Sequence, residues 1–424
     1  MLSSSNQKIT FLCTNDRLGG AAIVTYRLME ALVEAGVDAC MVVANKSTAS
    51  ARVAAVARWR YRLAFLAERL EILIRSGFRR RDLWKVDTAR FGCGVTRHPW
   101  VRDADVIVLS WVNQGLVSLA DIRRLHRMGK RIVWTMHDMW CATGICHHST
   151  GCTRFHHQCG CCPYLGAHTP ADLSRAIHRR KQALYADMPV TFVAVSSWLA
   201  EVCRRSSLLR DARVEVIPNA FPVDRFLPEP TVSRPDLGLP DRSDLIVFAA
   251  ARLDDPIKNL PLAVDALNRL ADLCAADGRP LPTAIFCGAL RYPSALDSLR
   301  IPHRHLGSIT DPTRMAQIFA HATVVLSTSL RETLPGTLIE GMAAGATPVT
   351  TGIGGQADII ADGTDGYIAP DFSPDTIATL LHRALTAPFP RDAQHSAAAQ
   401  RFSASAVTRR FLELVEGERD IIHS

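Results

Sequence analysis

Short, unbroken runs of apolar and β-branched residues alternate with longer helical stretches along this chain, and that alternation leaves few folds open. The runs in the first half are KITFLC, VDACMVVAN, ADVIVLSW, RIVWTMHD, TFVAVSS and RVEVIPN. A strand that is apolar at nearly every position is buried on both faces, which calls for a parallel sheet with helices on either side. After the polar, proline-dotted stretch IPNAFPVDRFLPEPTVSRPDLGLPDRS the pattern restarts with LIVFAAA, TAIFCGA, TVVLSTS and TPVTTG. Pro218, Pro222, Pro228 and Pro230 mark this stretch as a linker from about residue 218 to about residue 243. The expectation is an α/β chain of two Rossmann-like parallel-sheet domains, residues 1–220 and 221–404, with a C-terminal helix over about 405–424 packing back on the first. Open α/β sheets bind ligands beyond the carboxyl ends of their strands, so two such halves facing each other predict a cleft for two substrates.

With 48% hydrophobic and 21% charged residues in 424, the chain has the apolar material for full cores, which excludes a largely disordered protein. A formal charge of +8 suits an anionic partner. No nucleic-acid recognition motif accompanies that charge, so nucleic acid is not expected. The start MLSSSNQKITFLC lacks a basic segment followed by an apolar one. No apolar run reaches the roughly 18 residues needed to span a bilayer, and the expected location is the cytoplasm or the inner face of its membrane. The loop GxxxxGK[ST] of nucleoside triphosphatases is absent, and GIGGQA at residues 352–357 is a weak dinucleotide fingerprint on a late strand.

A stronger constellation is ARLDDPIKN followed by STSLRETLPGTLIEGMAAGATPV. Arg252 and Lys258 follow a strand, where they would neutralise a diphosphate without a metal. Leu334, Pro335, Gly336 and Thr337 open a helix whose free amides and dipole would face an anion. Glu332 and Glu340 bracket that phosphate seat. Glu340, one turn into the helix, suits two vicinal hydroxyls of a ribose. In the first half, Gly19 and Gly20 let backbone amides approach a phosphate at the start of a helix. Trp111, Asn113, His137 and Asp138 end two strands and present polar and aromatic groups at the carboxyl edge.

These motifs, in this order, resemble the retaining GT-B glycosyltransferases of family 4 over nearly the whole chain. The carriers are GGAAIVTYRLMEAL, TMHDMW, IPNAFPVDRF, ARLDDPIKN, the Glu332 to Glu340 spacing and GATPVTTGIGGQADIIADGTDGYI. ETLPGT and HDMWCATGICHH are similar to the colanic-acid and exopolysaccharide branch. The resemblance implies transfer of a hexose from a UDP- or GDP-sugar to a lipid-linked oligosaccharide, with no cofactor for catalysis. It implies Glu340 on the donor ribose, Glu332 near the hexose hydroxyls, Arg252 and Lys258 on the diphosphate, and His137 facing the sugar. Thr333 and Gln356 depart from the family's usual residues and bear on sugar identity. With both glutamates assigned to donor binding, a front-face retaining transfer fits best. A nucleotide-sugar-binding scaffold without turnover is the alternative.

Two stretches stand outside that assignment. Cys146, Cys152, Cys159 and Cys162, the last two a CxxC before Pro163, suit a closed zinc site that staples a polar loop. Cys161, His147, His148, His156 and His157 complicate the ligand set, and free thiols or disulfides are the other readings. Arg58 to Lys85 carries Trp59, Leu63, Leu66, Leu70 and Leu73 at helical steps among many arginines. Such a stripe lies on an anionic membrane surface or faces the core with a solvated basic back.

Overall fold

Parallel pairing runs through both halves of the chain. In the computed structural model, which describes residues 7–417, the strands form two separate sheets. The MLSSSN start and residues 418–424 of the expected C-terminal helix lie outside the described residues. The first sheet comprises β1 (Lys8–Asn15), β2 (Asp38–Asn45), β3 (Val53–Ala55), β4 (Val106–Leu109), β5 (Arg131–Met136), β6 (Val190–Ala194) and β7 (Val214–Val216). Its order is β3-β2-β1-β4-β5-β6-β7. The second comprises β8 (Leu245–Arg252), β9 (Thr283–Ala289), β10 (His303–His305), β11 (Val324–Ser327), β12 (Thr347–Thr351) and β13 (Tyr367–Ala369), in the order β10-β9-β8-β11-β12-β13. The expected pair of Rossmann-like sheets, the GT-B architecture, is present.

Both sheets reverse their strand order beside the first strand, between β1 and β4 and between β8 and β11, where Ile9 pairs Val106 and Ile246 pairs Val324. Such switch points leave a crevice beyond the carboxyl ends of the two strands. All four residues of β4 are buried, as an all-apolar central strand requires. Helix α1 (Gly20–Glu34) covers the first sheet with Val24, Leu28, Met29 and Leu32 buried. The helix Ala404–Gly417 brings Phe411 into a stack with Phe11 of β1, ring centroids 6.3 Å apart. In the second core, Leu267 and Leu270 of the helix Leu260–Ala276 join Ile377 and Leu381 of the helix Pro374–Thr386. The compact units are Met1–Asn219 with Thr408–Ser424, and Ala220–Val407.

Two local readings are corrected. The proline-rich stretch after residue 218 is packed rather than free: Phe221, Val223, Phe226, Leu237 and Leu239 are buried, and Phe221 N donates to Phe402 O at 2.8 Å. The basic segment is not one helix to Lys85. Helix α2 (Arg58–Arg75) stops where Gly77 and Phe78 adopt φ of 69° and 62°, a left-handed turn that ends a right-handed helix. Within α2 two charges point inward. Glu68 and Arg69 are buried, the Glu68 carboxylate accepting from Thr88 N and Ala89 N at 2.8 Å each, while Arg69 is bonded to Asp87. Trp59, Leu63, Leu66, Leu70 and Ile74 are each more than half exposed, so the apolar stripe faces away from its own core.

Candidate active site

In the second unit the turn after β8 and the loop after β11 are stitched together. Thr328 Oγ1 donates to the carbonyls of Lys258 and Asn259 at 3.0 Å, and Leu330 N donates to Ile257 O at 2.7 Å. Asn259 takes a left-handed φ of 53°, which asparagine tolerates, and so lets the chain turn straight into the next helix. The stitching sets Lys258 Nζ 2.5 Å from a Glu332 carboxylate oxygen. Arg252 pairs with Asp254 at 3.3 Å and Asp255 at 3.4 Å, its side chain 49% exposed. Beyond Glu332 the helix Gly336–Ala343 begins after Pro335 without a side-chain cap, so its first amides are left for an anion. Gly336 is required there, since a Cβ would sit 2.7 Å from the Phe221 ring. Leu334, Thr337 and Glu340 are half-buried along the same stretch.

Gln356 explains how the crevice keeps its shape. Fully buried, it accepts from Ser327 and Thr350 hydroxyls at 2.8 and 2.5 Å and donates to the carbonyls of Ser329 and Ile353 at 3.3 and 3.0 Å. It ties the ends of β11 and β12 together rather than facing the crevice. Gly354, at φ 69°, lies so close to Glu332 O that a Cβ would approach to 2.1 Å.

In the first unit, Gly19 and Gly20 are exposed at the N-terminus of α1, with open space where a Cβ would stand. His137 follows β5, and its Nε2 shares a 2.8 Å hydrogen bond with Ser110 Oγ at the end of β4. Ser110 in turn bonds Thr25 of α1. Burial pushes the His137 imidazole down to about 4, so the ring is neutral near pH 7. Asp138 is spent on the protein: it accepts from His147 Nδ1 at 2.7 Å, Trp140 N at 2.8 Å and Trp111 Nε1 at 3.1 Å. Trp111 also stacks on His147 at 5.6 Å. Asn113 is buried with its Nδ2 unpartnered.

Sequence reasoning missed the group beneath these residues. His147 Nε2 reaches Asp87 Oδ2 at 2.6 Å, and Asp87 also binds Arg69. Burial works against a charged ring, but the Asp138 and Asp87 carboxylates outweigh it and lift His147 to about 10. Asp87 lies 60 positions before His147, which no local pattern signals. Cys146, Cys152, Cys159 and Cys162 line one small cavity, and all twelve cysteines are free thiols.

Comparison with known proteins places these features in context. A family described as Glycosyltransferase Family 4 matches residues 18–225, and one described as Glycosyl transferases group 1 matches residues 244–387. A D-inositol 3-phosphate glycosyltransferase of Jonesia denitrificans is 32% identical over 158 residues, 35% of this chain and 36% of that protein. The putative colanic acid biosynthesis glycosyl transferase WcaC of Escherichia coli K12 is 28% identical over 132 residues, 30% of this chain and 32% of that protein. The chain thus spans about a third of the length of these curated relatives. HepE of Anabaena, solved in complex with UDP and glucose, superposes with a TM-score of 0.63 at 15% identity, covering 97% of this chain and all of HepE.

Proposed function

Because the chain carries a Glycosyltransferase Family 4 domain and a Glycosyl transferases group 1 domain on a GT-B fold, we propose that it is a retaining hexosyltransferase using a UDP- or GDP-sugar. Its acceptor in this reading is a lipid-linked glycan of surface polysaccharide synthesis. The observation that carries the proposal is the set at the ends of β8 and β11: Arg252, Lys258, Glu332 and the uncapped helix bearing Glu340. A diphosphate entering there takes the place of the carboxylate partners of Arg252 and Lys258 with its own oxygens, and the helix amides complete its seat. Glu340 takes the ribose hydroxyls and Glu332 those of the hexose. HepE, which binds UDP and glucose, supports that donor class.

Transfer then needs no protein nucleophile. The acceptor oxygen attacks the anomeric carbon on the face that the diphosphate leaves. The bond from that carbon to the diphosphate breaks, and the departing oxygen takes the hydroxyl proton. Asp138 supports this route by its engagement, since its oxygens are bonded to His147, Trp140 and Trp111. His137, neutral and oriented by Ser110, positions a sugar hydroxyl. In a thermal-shift screen of UDP- and GDP-sugars, a true donor should raise the unfolding midpoint by mass action. The matching nucleoside diphosphate should then be released with a lipid-linked acceptor. Binding without release under any acceptor would instead mark a scaffold.

The outward stripe of α2 supports a lipid acceptor and an anionic membrane surface. Five large apolar residues stand exposed beside the exposed Arg58, Arg62, Arg75 and Arg80. A groove of about 580 Å³ is lined by Trp59 and Leu63 together with Arg60, Arg90, Arg97 and Arg124 and the carboxylate of Asp121, a mixed apolar and mainly basic lining that suits an anionic lipid head group. No helix of the described residues is long and apolar enough to cross a membrane. The chain should sediment with anionic liposomes and be released by salt. Leu63→Glu with Leu70→Glu should abolish sedimentation while leaving donor binding intact, and wild-type sedimentation of that variant would refute the docking.

A further inference from the structure

Residues 137–172 join β5 to the helix Leu173–Ala186 with only single turns of helix at Trp140–Ala142 and Arg154–His156. So long a connection without its own secondary structure is uncommon in a packed unit and needs something to hold it. The chain folds this one around a small, partly open cavity of about 20 Å³ whose lining includes the four cysteines Cys146, Cys152, Cys159 and Cys162. That volume holds one water-sized occupant. The histidine nearest in sequence, His147, is unavailable, because both its nitrogens are committed to Asp138 and Asp87.

A second observation points to the same cavity from outside. Lys181, on the helix Leu173–Ala186, is fully buried. Its Nζ donates to the carbonyls of Trp140 and Thr143 at 2.5 and 3.0 Å and lies 3.2 Å from the centre of the Trp140 ring. None of the ion pairs among the described residues includes it. A buried ammonium without a counter-charge is costly, and such groups are ordinarily paired. Its carbonyl partner Thr143 adjoins Gly144, whose amide faces Cys159 Sγ, which places the ammonium beside the cavity. Lys181 thus stands beside the cavity with carbonyl and ring partners and no carboxylate among the described ion pairs. Arg154, which lines the cavity, is held there by the Gly160 carbonyl at 3.2 Å. Gly144 N already donates to Cys159 Sγ at 3.2 Å. The nearby carboxylate of Asp172 is occupied by Cys162 N at 2.7 Å and Ser174 Oγ at 2.6 Å.

We propose that Cys146, Cys152, Cys159 and Cys162 bind one zinc ion as a closed structural site, with Lys181 as its buried counter-charge. Binding expels four thiol protons and leaves a doubly negative tetrathiolate, which Lys181 and Arg154 compensate. No three Cys, His, Asp or Glu groups among the described residues already stand in a metal-holding arrangement, so holding the ion would require the four sulfurs to move closer together than they lie here. With four sulfurs and no open position the site is a staple, not a hydrolytic centre.

The full chain, purified without added metal, should carry about one zinc per molecule by mass spectrometry. A cobalt-substituted sample should show thiolate-to-cobalt charge transfer. Cys159→Ser with Cys162→Ser should lose the metal, and Cys161→Ser should keep it. Should the double variant be insoluble, Cys152→Ser, at the partly exposed edge, takes its place in a chelator competition. Lys181→Met should surrender zinc to the chelator about tenfold more readily, the effect of about one unit of charge stabilisation. The proposal is overturned if the chain takes up no zinc and all four thiols react with a disulfide reagent while folded. It is equally overturned if Cys152→Ser holds zinc like wild type, and the counter-charge fails if Lys181→Met does so.

Discussion

Asp87, Asp138 and His147 at the edge of the first sheet are bonded to one another in the interior, whereas Arg252, Lys258 and Glu332 at the edge of the second form pairs that water reaches. The side chain of Asp87 is 1% exposed and that of His147 10%, against 49% for Arg252 and 30% for Lys258. Exposure decides what each set can do. A buried charge cannot leave its partner without a large desolvation cost, so the first edge holds its shape. An exposed pair contributes little and is readily exchanged, so the second edge can take a ligand's charges in place of its own. In the proposed reading one edge is scaffold for side chains such as His137 and Trp111, and the other is a set of replaceable partners.

The largest effect should come from breaking the scaffold. Asp87→Ala leaves Arg69 only Glu68 and the Leu83 carbonyl and leaves His147 only Asp138, and breaking a buried pair typically costs about 3 to 5 kcal/mol. Chemical denaturation should show that loss in the first unit even without ligand. An Asp87→Ala chain that unfolds like wild type would erase the contrast between the two edges.

Next comes the exchanging edge. Glu340→Ala and Arg252→Ala should each weaken nucleotide-sugar binding by roughly 10- to 150-fold, the loss of one charge-assisted contact of about 1.5 to 3 kcal/mol. His137→Ala should slow transfer with little change in donor affinity. Calorimetry with the donor and turnover assays separate the two outcomes, and unchanged kinetics in these variants would remove them from the site.

A smaller effect, set by pH, belongs again to the first edge. Asp16, at the end of β1, is buried, which alone would raise its carboxyl. Hydrogen bonds from Ser47 and Thr48, hydroxyls and amides together, outweigh burial and hold it down to about 2. The folded value lies below the unfolded one. Its contribution is therefore complete above about pH 4 and is lost as pH falls through about 2, amounting to about 2 kcal/mol. Asp16→Asn should flatten the acid limb of a stability profile over that window.

How much of this was legible in the sequence follows the same division. The apolar runs specified both sheets, because a strand buried on two faces has no polar register to hide in. That Arg252 and Lys258 follow one strand and Glu332 and Glu340 another was legible from the short loops after β8 and β11, but the Lys258–Glu332 pair joins residues 74 positions apart and was not. Helix α2 was not: Trp59, Leu63, Leu66 and Leu70 recur at helical steps, but so do Tyr61, Ala64, Glu68 and Ile72. Which set turns inward depends on where Asp87, Thr88 and Ala89 pass, since these satisfy Arg69 and Glu68. Lys181 finds its carbonyls 41 and 38 positions away, equally out of reach of any local pattern. Prolines after residue 218 suggested a linker, yet burial of Phe221 and Phe226 decided the matter.

The smallest effect is the sharpest test of the comparison. Glu332→Gln removes the carboxylate facing Lys258 in a pair whose side chains are 17% and 30% exposed. If that pair exists to be exchanged, its loss should change the stability of the unliganded protein by less than about 1 kcal/mol, as for ordinary pairs in contact with water. Donor affinity should still fall, because in the proposed function the glutamate also meets a sugar hydroxyl, which an amide holds less well than a carboxylate. A loss of several kcal/mol without donor would show that Lys258 and Glu332 are structural like Asp87 and His147, and the two edges would then differ in exposure but not in use.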